Sequence, residues 1–118
     1  MAANPIPVPE LNLETVRTVE ETLVRCSGKI TSTSSGELRS TVRSLLPEAQ
    51  RIVLDLTDVS YMDSSGLGAL VAVYVSAKTH HCQLKLIHVG PRLQQLFRLT
   101  KLASVFEGHD DFLGWTPD

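Results

Sequence analysis

Residues 51–70, RIVLDLTDVSYMDSSGLGAL, decide the fold. Ile52 to Leu56 is a short apolar and β-branched run, which fits a strand covered on both faces. A short polar turn is expected after it, and then a helix opening on Ser64 and Ser65 behind Asp63. Leu67, Leu70, Val71 and Tyr74 recur at helical spacing and give this helix one face, with Lys78 snorkelling at its end. A serine at a helix start is ordinarily a cap. Here it stands at the exit of a parallel-type strand with small residues beyond it, so its hydroxyl is both presented and approachable.

The rest of the chain extends the pattern in both directions. Leu11 to Val19 starts with apolar and polar residues in alternation and reads as a strand; Thr22 to Ser27 pairs back on it as a hairpin, and Gly28 ends it. Leu38, Val42, Leu45 and Leu46 predict a helix over 34–46, stopped by Pro47. After the central unit, residues 83–89 (QLKLIHV) read as a strand. Gly90 and Pro91 open a third helix whose inner face is Leu93, Leu96, Phe97 and Thr100. Residues 102–106 read as a short last strand, and the tail GHDDFLGWTPD as a short helix or loose end anchored by Phe112 and Trp115. The order ββαβαβαβ predicts an α/β fold. Its mostly parallel sheet has four to five strands, the N-terminal one antiparallel, with about four helices on the sheet.

Composition narrows the function classes. The 118 residues suit one domain, with residues 1–10 as an extended, proline-rich lead-in and 11–118 as the folded unit. A net charge of −2 with dispersed Lys and Arg gives no general pull toward nucleic acid or an anionic membrane. The N-terminus lacks the basic and apolar regions of a signal peptide. The longest apolar run, residues 67–77, is about half of the ~20 residues a bilayer-spanning helix needs. Cys26 and Cys82 sit in apolar, strand-like segments, apart from His80, His81, His88 and His109, so they read as buried thiols in a reducing cytosol and not as metal ligands. No metal site or cofactor is expected. His80 and His81 are placed to cap the C-terminus of the second long helix.

The chemistry of Ser64 follows from its position. Four backbone N–H groups at a helix start lack intrahelical partners and favour an anion. A phosphate on Ser64 is therefore compatible with the fold. It adds about −1.5 to −2 charge beside Asp63, which alters the surface more than the core. Gly66 and Gly68, followed by Ala69 and Ala72, leave the backbone open to close approach, or else let the helix pack tightly on the sheet.

The segment VLDLTDVSYMDSSGLGAL closely resembles the signature of the STAS domain family, in its bacterial anti-sigma factor antagonist branch. A Gly-x-Ile-Thr turn at Gly28 to Thr31 and the segment VGPRLQQLFRLTKLASVF, similar to the family's last helix and strand, extend the likeness over roughly residues 11–108. The resemblance implies that Ser64 is phosphorylated by an anti-sigma factor that is also a serine kinase of GHKL type. The unphosphorylated form would bind that factor and release the sigma factor, and a serine phosphatase would reset the switch. Asp63 would be an acidic contact and positioning residue, and Ser65 a local cap or backbone hydrogen-bonding group. Many such antagonists carry Gly-Glu-x-Asp before the first helix. This chain has Lys29 and Thr31 at the acidic positions, a reversed charge that matches an arginine-rich partner surface less well. Thr31 is still expected to cap the first helix.

Enzyme readings fare worse. A nucleophile elbow needs glycine two residues before and after its serine, and Ser64 has Met62 and Gly66 there. A phospho-aspartate receiver would use Asp55 and Asp63, but no acidic pair follows the early strands. GxxxxGK[ST] is absent, which argues against an intrinsic kinase or ATPase. Within the resembled family, a lipid-transporting ABC accessory subunit or a stressosome-type scaffold is the alternative to a cytoplasmic antagonist.

Overall fold

β1 (Leu11–Arg17) and β2 (Thr22–Ile30) form an antiparallel hairpin in which Leu11 pairs with Gly28 and Arg17 with Thr22. Its turn is closed by Thr18, whose backbone N–H and hydroxyl both donate to the Glu21 carbonyl, at 2.9 and 2.8 Å. The structure, a computed structural model, describes residues 9–99. The chain continues through α1 (Ser35–Leu45), β3 (Arg51–Met62), α2 (Ser64–Thr79), β4 (Gln83–Ile87) and α3 (Pro91–Leu99).

The four strands lie in the order β1-β2-β3-β4, with β2 parallel to β3 and β3 parallel to β4. Right-handed crossovers between successive parallel neighbours put α1 and α2 on the same face of the sheet, where they pack against each other. The core lies between that face and the helices. Val24, Cys26, Ile52, Leu54, Leu84 and Leu86 come from the sheet; Leu38 and Val42 from α1; Leu67, Leu70 and Val73 from α2; Leu93 and Phe97 from α3. The expected α/β class and the antiparallel first strand are therefore observed. The expected strand at residues 102–106, Thr100 of the third helix and the tail lie outside the described residues.

Three sequence expectations are corrected. Gly28 does not end β2. It sits inside the strand at φ +108°, beside a shift in register, and a Cβ there would stand 2.1 Å from the Glu10 carbonyl oxygen. Only glycine suits that conformation and that close approach, and the strand then runs on to Ile30. Nor does β3 stop at Leu56. Pairing with β2 carries it through the polar residues 57–61 to Met62, with register shifts that absorb the extra residues. The buried surface of α2 is also wider than one stripe, because Ala69, Val73 and Ala77 are covered along with Leu67, Leu70 and Tyr74.

At the far end of α2 the expected histidine cap forms: His80 Nδ1 lies 2.9 Å from the Ser76 carbonyl. His81 leaves the helix at φ 57°. Lys78 Nζ stands 5.4 Å from the centroid of the Tyr74 ring. Both cysteines are free and buried.

Candidate functional site at the start of the second helix

Asp63, and not either serine, caps α2. Its backbone is extended (φ −104°, ψ −173°), and its Oδ1 accepts a 3.0 Å hydrogen bond from the Gly66 N–H. Its own N–H donates to the Ile30 carbonyl at 3.3 Å, tying the helix start to the end of β2. Ser64 is the first helical residue and is exposed; Ser65 is half-buried behind it. Because Asp63 fills the capping role expected of Ser65, the Ser64 hydroxyl is not taken up by capping. It projects from the positive end of a 16-residue helix.

The two glycines divide the roles expected of both. A Cβ on Gly66 would meet the Ile30 carbonyl oxygen at 2.2 Å and Met62 Cγ at 2.7 Å, so Gly66 lets the helix start press on the sheet. A Cβ on Gly68 would meet nothing within 4 Å. Gly68 is exposed one turn beyond Ser64, and it is the glycine that leaves open surface.

Lys29 and Thr31 reach this corner through the register, in which Lys29 pairs with Tyr61 and Ile30 with Met62. Lys29 is exposed. Thr31 does not cap α1, contrary to expectation. The helix starts three residues further on, with Ser34 at the cap position, and the Ser34 hydroxyl is used in the turn, donating to the Lys29 carbonyl at 2.7 Å. The Thr31 hydroxyl instead accepts from the Thr33 N–H and donates to the Glu10 carboxylate, at 3.1 Å to Oε1 and 2.9 Å to Oε2. Glu10 was missed in the sequence, where it falls in the proline-rich lead-in. Its backbone is held by the Lys29 N–H, which donates to the Glu10 carbonyl at 2.9 Å. The charge reversal expected at Lys29 and Thr31 is thus offset by a carboxylate beside them, at the start of the hairpin's other strand.

A second polar group links β3 to the exit of β4. Asp55 Oδ1 accepts from the Thr57 backbone N–H and hydroxyl and lies 3.0 Å from His88 Nδ1. His88 adopts φ 58° where the chain leaves the sheet. Partial burial pushes the Asp55 carboxyl up, but the bonds from Thr57 and His88 outweigh it and hold the carboxyl below the usual carboxylate range. Asp55 and Asp63 belong to different sites, since seven residues of continuous strand separate Asp55 from the end of β3. Among the described residues no group of three or more His, Cys, Asp or Glu could hold a metal ion. No described helix is long and apolar enough to cross a membrane.

Comparison with known proteins places this architecture. A family model for the STAS domain matches residues 10–112. The chain belongs to the STAS family. This STAS domain is 31% identical over 97 residues to the anti-sigma-B factor antagonist of Bacillus subtilis, covering 82% of this chain and 89% of that relative. It is 43% identical over 54 residues to the anti-sigma-B factor antagonist of Listeria monocytogenes, covering 46% of this chain; the match spans about half of that relative, 47% of its length. Among solved structures, an anti-sigma factor antagonist from Mycobacterium paratuberculosis has a TM-score of 0.73 at 21% identity, over 94% of this chain and 92% of that one. The anti-sigma factor antagonist SpoIIAA in its unphosphorylated form has a TM-score of 0.65 at 15% identity, over 90% of each chain. These two likenesses are of fold.

Proposed function

We propose that this STAS domain is an anti-sigma factor antagonist switched by phosphorylation of Ser64. In its unphosphorylated form it binds an anti-sigma factor that is also a serine kinase of GHKL type, and so frees a sigma factor in the cytoplasm. Phosphorylation at Ser64 ends that binding, and a serine phosphatase restores it. The protein acts here as a binding partner and substrate, without catalysis of its own.

The observation that carries the reading is the division of labour at the start of α2. Asp63 caps the helix through Gly66, which leaves an exposed serine hydroxyl at the first helical position. The names of the relatives, anti-sigma-B factor antagonists, support the partner class. The helix terminus accommodates a phosphate electrostatically, while about −1.5 to −2 added charge beside Asp63 repels a partner fitted to the neutral surface. Asp63, Ser65 and Gly68 form the contact surface around the serine, with Gly66 buried beneath it against the sheet and Lys29 and Thr31 on the adjoining strand end.

Incubation with ATP and the cognate kinase, followed by intact mass measurement, tests the reading. One added phosphate on the wild type and none on Ser64→Ala is expected. Equal labelling of the two would overturn the assignment of Ser64.

A further inference from the structure

Three residues at the end of β2 hold one acid in place, Glu10, just ahead of β1. Gly28 has no Cβ, which lets the Glu10 backbone lie directly against it. The Lys29 N–H donates to the Glu10 carbonyl at 2.9 Å. The Thr31 hydroxyl donates to the Glu10 carboxylate, at 2.9 Å to Oε2 and 3.1 Å to Oε1. Thr31 is itself set: its hydroxyl oxygen accepts from the Thr33 N–H at 3.2 Å, and its backbone N–H donates to the Ser34 hydroxyl at 3.0 Å. Backbone and side chain of Glu10 are thus both fixed by the fold.

The fixed carboxylate has acceptor capacity to spare. A carboxylate offers about four lone-pair positions, and Thr31 supplies a single proton. Among the described residues no Lys, Arg or His forms an ion pair with it. A mobile surface acid gains little from an ion pair, because ordering its side chain costs entropy. Glu10 is half-buried and already ordered, so a cation that meets it gains more.

The hydrogen bonds also tie this acid to the Ser64 surface. Thr31 follows Ile30, whose carbonyl accepts the Asp63 N–H at 3.3 Å. The Glu10 carboxylate and the start of α2 therefore adjoin across the last residue of β2. A standard interface covers about 800 Å² on each partner, enough to take in both.

We propose that Glu10 is a specificity-determining residue whose carboxylate receives an arginine of the anti-sigma factor, on the reading of the Ser64 corner as the surface that meets that factor. A guanidinium is the matching group. It is planar and presents a fork of donors to both oxygens of a fixed carboxylate, whereas an ammonium is a point charge. Thr31 is the positioning residue. Lys29, exposed beside them, repels a partner that brings a second cation there, so the corner selects the place of the arginine as well as its charge.

Calorimetric titration of the full chain with the cognate anti-sigma factor, over a range of salt concentrations, is the test. Glu10→Gln keeps an acceptor for Thr31 and should melt close to wild type. It should bind about tenfold more weakly at low salt, with a flatter dependence on salt. Glu10→Lys should bind about a hundredfold more weakly, and changing one arginine of the factor to glutamate should restore it. Thr31→Val should weaken binding severalfold while keeping the salt dependence, and Thr31→Ser should restore it. Wild-type affinity in Glu10→Gln at every salt concentration would overturn the assignment, as would a weakening that leaves the salt dependence unchanged, the mark of a purely structural role. Ser64→Asp, titrated alongside, separates the two readings. Binding lost on Ser64→Asp but unaffected by Glu10→Gln keeps the switch and removes the acid. Binding undiminished by Ser64→Asp, yet weakened and less salt-dependent in Glu10→Gln, keeps the acid and removes the switch.

Discussion

Gly66 and Gly68 stand two residues apart on one helix, and alanine at each should move stability in opposite directions. At Gly66 the new methyl would lie 2.2 Å from the Ile30 carbonyl oxygen and 2.7 Å from Met62 Cγ. Met62 can shift its side chain, but the Ile30 carbonyl is backbone, so the helix start must lift by roughly an ångström. That also stretches the bond from the Asp63 N–H to the Ile30 carbonyl, already 3.3 Å long. Overpacking of this kind costs about 1–3 kcal/mol. Against it stands the helix preference for alanine over glycine, up to ~1 kcal/mol and less in the first turn. The net expectation is a loss of ~1–2 kcal/mol for Gly66→Ala, from these two ranges. At Gly68 nothing lies within 4 Å and the backbone is helical. Gly68→Ala should therefore gain ~0.5–1 kcal/mol. Urea unfolding resolves the pair, since a slope of about 1–3 kcal/mol/M turns ~1 kcal/mol into a midpoint shift of ~0.3–1 M. Binding should not follow stability. Gly68 lies one turn beyond Ser64, so the stabilised variant places a methyl on the proposed contact surface and should bind the anti-sigma factor more weakly. A Gly66→Ala protein as stable as wild type, or a destabilised Gly68→Ala, would refute the geometry argued for the α2 start.

Other perturbations probe separate parts of the same corner. Asp63→Ala removes the acceptor for the Gly66 N–H and should cost ~1 kcal/mol in thermal or urea unfolding; no loss would mean that the cap contributes nothing. Ser64→Asp should melt close to wild type, because an acid is tolerated at a helix start, yet lose the anti-sigma factor in a pull-down or calorimetric titration; undiminished binding would show that charge at this position is irrelevant. The Asp55 carboxyl is held below its usual range in the folded state. Its contribution is therefore present above the unfolded carboxyl's pKa of about 3.9 and lost as pH falls through the folded value. Asp55→Asn should thus lower the melting temperature at neutral pH and converge on wild type in acid, and parallel profiles would refute the link. Burial, with the Asp55 charge adding to it, pushes the Cys26 thiol up to about 12. Cys26 should resist a disulfide reagent until the protein unfolds, and fast labelling of the native state would contradict its burial.

What could be read from the sequence was whatever local pattern encodes. Asp63, Ser64 and Leu67 lie within one turn of each other, and their spacing alone placed the helix start. The longer β3 was not legible, because residues 57–61 are mostly polar and are held in the sheet by pairing with β2, a tertiary condition. Thr31 was misassigned for a similar reason. Its hydroxyl meets Glu10, 21 residues away, and no capping rule reaches that far. The contact between Asp55 and His88 spans 33 residues and depends on where β4 ends its pairing with β3. Gly28 gave a signal, but of the wrong kind: it read as a stop, whereas its role is to let two backbones touch.

The strand order β1-β2-β3-β4 also bears on how the chain acquires its shape. Each strand pairs with the strand just before it, so no pairing waits for a distant segment to be made. Contacts close in sequence favour fast folding. During synthesis, the β1–β2 hairpin is marginal by itself and gains a covered face when α1 and β3 close over it. The α2 start is anchored to Ile30 of β2, so it can form before β4 is added. The surface bearing Ser64 thus takes its anchor in the sheet from chain that precedes the edge strand β4.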